Sequence, residues 1–254
     1  MRGDTLVVFA RAPRLDAVKR RLAREIGAWA ALRFYRACLC GLLRALGGAR
    51  PWRSLLALTP ERARFAAPRG LARVRQGGGD LGARMAAAFA ARPRRRLVLI
   101  GSDIPGVGAA EVRAAFRALG RASAVFGPAL DGGYWLVGMG ARRPSRPFAG
   151  VRWSSPQALA DTLANFPSRR VALLPPRRDV DTLADLAAFG RRASRSGSAG
   201  SAGCAPGRNC ARASSSSPAR CWSQRSGAMR RPWRCGRCWP ASRPTLSRWR
   251  ARPP

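Results

Sequence analysis

Residues 97–106 read Leu-Val-Leu-Ile-Gly-Ser-Asp-Ile-Pro-Gly. Consecutive apolar residues with no polar alternation describe a strand buried on both faces, as in a parallel sheet covered by helices. Gly101, Pro105 and Gly106 then stop the strand, and Asp103 stands in the loop at its carboxyl end. In parallel α/β sheets ligands bind in the crevice outside the carboxyl ends of the strands. This short stretch therefore predicts both a central strand and a place for chemistry.

The alternation extends in both directions. Upstream, residues 6–10 and 54–58 read as buried strands and 71–74 as a weaker one. Between them Leu22, Ile26, Trp29, Leu32, Phe34, Leu39, Leu42, Leu43 and Leu46 recur at steps of three and four. That period predicts one helix over 19–46, ended by Gly47-Gly48. A helix over 82–91 leads into the central strand. Downstream follow a helix over 109–119, strands over 122–126 and 134–139, and a helix over 155–166 opened by Ser155 and Pro156. A strand over 171–174 and a helix over 182–189 complete the series. Strands alternating with helices give a single three-layer α/β domain over 1–189 with a mainly parallel central sheet. Its crevice loops are then 11–21, 76–84, 101–106, 127–135 and 178–182.

Composition narrows the chemistry. The 254 residues hold 48 Lys+Arg, 12 Asp+Glu and no histidine, a formal net charge of +36. Without histidine there is no Ser-His-Asp or Cys-His nucleophile system and no imidazole base. Acid, base or metal work falls to carboxylates, thiols, hydroxyls and backbone. Dense positive charge attracts phosphate without regard to sequence, so nucleic-acid binding stays open as a reading. Against it, Lys19 is the single lysine, and the arginines accompany abundant alanine, glycine and proline. That pattern fits a GC-rich coding sequence better than a dedicated basic surface.

All the acidic residues lie between Asp4 and Asp185. The stretch 190–254 has none, is rich in Arg, Ser and Pro, and shows no periodicity, which predicts a disordered tail. Its composition is that of a GC-rich gene read out of frame. Cys235 and Cys238 form a lone CxxC, without the second close pair that a structural zinc site needs. No apolar run reaches the roughly 18 residues of a membrane-spanning helix, and the N-terminus lacks a secretory pattern. The expected location is the cytoplasm, with Cys38 and Cys40 reduced.

Each crevice loop carries candidate residues. The first places Arg11, Lys19 and Arg21 around a helix start, where cations suit a pyrophosphate, although no Walker loop is present. In the second, Gly77, Gly78 and Gly79 permit close backbone approach, Asp80 caps the next helix or meets the ligand, and Arg84 faces phosphate or solvent. Asp103 is placed to hold a hard divalent cation. Asp131, Gly132, Gly133, Tyr134 and Trp135 combine a carboxylate with aromatic faces suited to a sugar or base. The alternative is a hairpin turn with Tyr134 and Trp135 in the core, and for Trp135 the two readings weigh equally. Asp179 and Asp181 sit one residue apart before a helix, so that one ligates a metal while the other caps the helix.

Taken together, FARAPRLDAVKRRL (9–22), QGGGDLGARM (76–85), GSDIPG (101–106), GPALDGGYWLVG (127–138), FAGVRWS (148–154) and RDVDTLADL (178–186) resemble a family of short bacterial glycosyltransferase-A-like proteins. Its members are uncharacterised or linked to arsenosugar biosynthesis, and the resemblance spans about residues 5–189. It implies a nucleotide-diphosphosugar transferase fold, with Asp103 and Asp181 holding Mg²⁺ or Mn²⁺ on the donor phosphates. Lys19 and Arg21 match the family's basic first-loop residues. The first loop also departs from the family pattern: Asp16 stands where glycine is expected, Ala17 where arginine and Arg20 where threonine. The implied function is metal-dependent transfer of a sugar from a nucleotide-diphosphate donor to a small acceptor. Asp103 and Asp131 would be catalytic, and Arg11, Lys19, Arg21, Gly79, Asp80, Arg84, Gly132, Gly133 and Tyr134 would bind substrate. The superfamily also contains nucleotidylyltransferases such as phospholactate guanylyltransferase, so a nucleoside triphosphate with a phosphorylated acceptor is the alternative pair of partners. An inactive or nucleic-acid-binding basic protein is the alternative of a different class.

Overall fold

In the computed structural model the central stretch is strand β4, Leu97–Gly101, in a seven-stranded sheet. The structure describes residues 3–198 apart from Arg69 and Ser168, with side chains as far as Gly190. The remainder of the expected tail, with its CxxC, lies outside the described residues.

Before β4 come β1 (Thr5–Arg11), α1 (Arg20–Ile26), α2 (Ala28–Leu46), β2 (Arg53–Thr59), β3 (Ala72–Val74) and α3 (Leu81–Ala90). After it come α4 (Ala109–Ala118), β5 (Ala124–Pro128), β6 (Tyr134–Met139), α5 (Ala158–Ala164), β7 (Val171–Leu173) and α6 (Leu183–Ser198). The sheet order is β3-β2-β1-β4-β6-β5-β7. Only β6 runs against its neighbours, pairing antiparallel with β4 and β5.

Alternation along the strands builds the two outer layers. Leu6, Val8 and Ala10 of β1 join a cluster with Leu39, Leu43 and Leu46 of α2 and Val112, Ala115 and Phe116 of α4. Val7 and Phe9 point the other way, into a cluster with Met85 and Phe89 of α3, Phe126 of β5 and Phe166. At roughly 25 cal/mol per Å² of apolar surface removed from water, these two faces supply the main driving force for the fold. A third, smaller cluster joins Leu22 of α1, Ala31 and Phe34 of α2, and Val180 before α6.

Three elements differ from the sequence reading. The long helix expected over 19–46 is broken at Gly27, whose φ of 85° and ψ of 147° no helical residue shares. The break rotates the start of α2, and Trp29 stands 69% exposed instead of lying on the apolar face. The helix expected from Ser155 begins at Ala158, because Ser155 makes a turn instead: its Oγ accepts from Gln157 N (3.2 Å) and its carbonyl from Ala158 N (3.2 Å). The last helix continues past Phe189 through Ser198, since nothing in Gly190–Ser198 forces a stop.

Candidate active site

Because β1, β2, β3, β4, β5 and β7 run in one direction, their carboxyl ends share one edge of the sheet with the start of β6. All five candidate loops therefore meet there. The chain direction reverses between β1, which leads out to β2 and β3, and β4, which begins the other half. The loops after β1 and β4 flank this switch point, the usual ligand crevice of an open α/β sheet.

Lys19 lies at the centre of that crevice. It is the residue before α1, with a left-handed backbone (φ 49°), and its side chain is 4% exposed. The ammonium donates to Asp181 Oδ1 at 2.9 Å and to the Asp103 carbonyl at 3.4 Å. Asp179 adjoins the pair. Burial, and next the Asp181 carboxylate, push Asp179 up to about 6, with Asp131 adding to the effect and Lys19 opposing it. Asp179 is thus within electrostatic reach of Lys19, Asp131 and Asp181, and Lys19 also meets the backbone of Asp103.

Their positions are set by groups the sequence reading missed. Tyr35 of α2 is buried under the crevice. Its phenol donates to the Arg11 carbonyl (2.8 Å), accepts from Arg11 N (3.1 Å) and lies 3.1 Å from Ser102 Oγ. Ser102 in turn reaches Asp103 Oδ1 at 3.3 Å. Burial pushes the Tyr35 phenol up to about 12, so it remains a protonated tie between the ends of β1 and β4. Gln76, also buried, donates to the carbonyls of Ala57 (2.8 Å) and Ala10 (3.4 Å) and fixes the ends of β2 and β1. In sequence Tyr35 looks like one more position of an apolar helical face, and Gln76 like a loop residue beside glycines.

Other candidates have clearer local roles. Asp80 caps α3, its Oδ1 accepting from Ala83 N at 2.7 Å. Arg84 is braced, donating to Gln76 Oε1 (2.9 Å) and to the Asp80 carbonyl (3.2 Å). Gly79 takes φ +82°, which brings bare backbone to the rim of the crevice. Arg11 and Arg21 are exposed, at the end of β1 and in the first turn of α1. The β5–β6 connection is a hairpin turn, with Ala129 N donating to Gly133 O (2.9 Å) and Gly133 N to Asp131 Oδ1 (3.0 Å). Asp131 is exposed at its tip. Gly132, at φ +86°, lies so close to Pro156 that a Cβ would come 2.0 Å from its carbonyl oxygen.

Two readings are corrected. The aromatics of the hairpin pack inward, away from a sugar or base. Trp135 is buried, with the Arg177 guanidinium over its ring at 5.6 Å, and Arg177 is held by Glu111 at 2.6 Å. Half-buried Tyr134 stands edge-on to Phe126 (5.3 Å) and Trp153 (6.4 Å), its hydroxyl bonded to Thr162, and burial raises its proton affinity. Neither Asp179 nor Asp181 caps α6. Thr182 and Asp185 do so reciprocally: Asp185 Oδ2 accepts from Thr182 N (3.1 Å) and Oγ1 (2.7 Å), while Asp185 N donates to Thr182 Oγ1 (3.2 Å). The Thr-x-x-Asp spacing is a capping-box signature that was available in the sequence. Both carboxylates of the Asp-Val-Asp run are left for the crevice.

The donor set suits a hard divalent cation. Carboxylate and carbonyl oxygens meet at a position that already accepts one cation, the Lys19 ammonium, and hard oxygen donors are what such an ion takes. Among the described residues no three His, Cys, Asp or Glu side chains are arranged around a single metal position. Magnesium-type sites commonly take one or two carboxylates and complete their shell with substrate phosphates and water.

Residues 42–155 match the profile of a family described as an uncharacterised protein conserved in bacteria. No curated protein matches the chain. Among solved structures, the chain is similar to a protein from Desulfovibrio desulfuricans G20 provisionally assigned as a nucleotide-diphospho-sugar transferase, with a TM-score of 0.70 and 29% identity. That likeness covers 80% of this chain and 92% of the other. It is also similar in fold to a 4-diphosphocytidyl-2C-methyl-D-erythritol synthase from Anaerococcus prevotii DSM 20548, with a TM-score of 0.50 and 10% identity over 76% of this chain and 97% of that one. These findings agree with the nucleotide-diphosphosugar transferase superfamily to which the motifs point. Among the described residues no helix is long and apolar enough to cross a membrane.

Proposed function

The chain has the nucleotide-diphospho-sugar transferase fold, and from that premise we propose that it is a transferase moving a sugar from a nucleotide-diphosphate donor to a small acceptor. The observation that carries the reading is the gathering, along the carboxyl edge of the sheet, of Lys19 with Asp181 and the Asp103 backbone and of Asp179 with Asp131 and Asp181. Asp103 and Asp181 would hold a Mg²⁺ or Mn²⁺ ion, which when bound neutralises charge developing on the leaving nucleoside diphosphate. Lys19 would add positive charge beside the phosphates, with Arg21 in the first turn of α1 as a second candidate cation, and Gly79 would let backbone approach them. Asp131, exposed at the hairpin tip, orients the acceptor hydroxyl and takes its proton as the new bond forms.

The test is turnover of nucleotide sugars by the full chain with Mn²⁺ and a panel of hydroxyl acceptors. Asp103→Asn is expected to lower donor turnover at least about 100-fold, the usual cost of losing one preorganised electrostatic group, with an unchanged thermal midpoint. Near-normal transfer by that variant would refute the assignment. The product also separates the two chemistries the fold accommodates. Release of a nucleoside diphosphate marks sugar transfer, and release of pyrophosphate from a nucleoside triphosphate marks nucleotidyl transfer to a phosphorylated acceptor.

A further inference from the structure

Lys19 and a divalent ion compete for the Asp181 carboxylate. The ammonium, on a side chain only 4% exposed, contacts Asp181 Oδ1 at 2.9 Å and the Asp103 carbonyl at 3.4 Å. Asp181 is one of the two carboxylates that the proposed reaction gives to the metal, and the other, Asp103, meets the ammonium through its backbone carbonyl. The contact is not a chance reach of a surface side chain. It starts from a residue held in the left-handed region (φ 49°), which side-chain-bearing residues enter at a cost, and Lys19 is the one lysine of a chain otherwise using arginine. An ammonium is compact enough to enter a space where a planar guanidinium would not sit.

We propose that Lys19 is an internal counter-ion that holds the metal position of the substrate-free protein and passes from Asp181 to the donor diphosphate when substrate and ion arrive together. The inference rests on the reading of Asp181 as a metal ligand. Two cations on one carboxylate oxygen repel each other, so the ion alone must displace the ammonium. A displaced and largely buried ammonium needs another anion, because an unpaired buried charge is costly. The diphosphate supplies that anion. Metal without donor should therefore bind weakly, and the penalty should reside in Lys19.

The test is titration of the full chain with Mn²⁺ alone, free ion being followed by electron paramagnetic resonance, for the wild type, Lys19→Met, Lys19→Arg and the double variant Lys19→Met/Asp181→Asn. Lys19→Met is expected to bind Mn²⁺ roughly tenfold more tightly than the wild type, an ordinary size for coupling between two ligands. Lys19→Arg, which keeps the charge, should gain much less, and Asp181→Asn should abolish the gain. General structural damage would weaken binding, so it cannot imitate this result. Unchanged or weaker binding by Lys19→Met beside a wild type that binds overturns the competition and leaves the metal reading standing. A gain that survives Asp181→Asn also overturns it, because the ion is then held elsewhere. Absence of Mn²⁺ binding in every variant overturns both the competition and the metal reading.

Discussion

At Asp16 the backbone takes φ +58°, the region in which a Cβ crowds the neighbouring carbonyl and which glycine enters freely. This is the position at which the first loop has aspartate where the family it resembles has glycine. The loop here has the shape that glycine permits, held by a residue that enters it at a cost. Asp16→Gly is expected to stabilise the fold by up to about 1 kcal/mol, the relief of left-handed strain being offset in part by the greater freedom of glycine in the unfolded chain. Asp16→Val should instead destabilise by about 1–2 kcal/mol, since a β-branched side chain tolerates this region least. Urea denaturation of the two variants checks both signs. The residue scale also shows what sequence could and could not reveal about the site. Asp103, Asp131, Asp179, Asp181 and Lys19 were legible because carboxylates are scarce in this chain and these stand in strand-end loops. The contacts between them were not, because Lys19 meets Asp181 across 162 positions of chain.

Among the elements, α2 contributes more than a covering for the sheet. Its Tyr35 joins β1 and β4 where the sheet order reverses, and so sets the floor beneath Asp103. Tyr35→Phe keeps the ring and its burial but removes the hydroxyl, leaving the Arg11 amide and Ser102 short of a partner. A loss of about 1–2 kcal/mol is expected from the unsatisfied groups, accompanied by weaker nucleotide binding as the loop after β4 loosens. Tyr35→Ala would lose the ring as well and confuse the two effects. Calorimetric unfolding and nucleotide titration of the Phe variant separate them: a stability loss with unchanged nucleotide affinity would show that the tie is structural only. Most elements were readable from periodicity, as the close agreement at β4 and β6 shows. One of the three exceptions is instructive. The α1–α2 break at Gly27 was hidden because apolar residues keep a three- and four-residue spacing across it, and one glycine inside a helical pattern is often tolerated. Only its dihedral angles, fixed by packing of α1 against α2 and α6, mark the corner.

For the whole molecule the dominant quantity is the imbalance of 48 basic against 12 acidic residues. Several acids are already engaged with arginine in the folded domain: Asp4 with Arg96, Glu111 with Arg177, Asp161 with Arg152 and Asp185 with Arg178. Even complete pairing would leave the net charge of +36 untouched. Exposed pairs such as Arg152 with Asp161 contribute little, whereas repulsion among surplus arginines accumulates over the surface. Folding of the described domain concentrates its surplus arginines, so repulsion should be larger in the folded state than in the expanded chain. Screening then acts in favour of folding. Raising NaCl from about 0.05 M to about 0.5 M shortens the Debye length from about 14 Å to about 4 Å, and the urea midpoint of the full chain is expected to rise. Urea is the suitable denaturant because it leaves ionic strength unchanged. A midpoint that falls with salt would mean that the crevice and surface ion pairs outweigh the repulsion. The same salt series, read on DNA binding, tests the nucleic-acid alternative: attraction to phosphate that collapses with salt and persists in Asp103→Asn would belong to the arginines and not to the crevice.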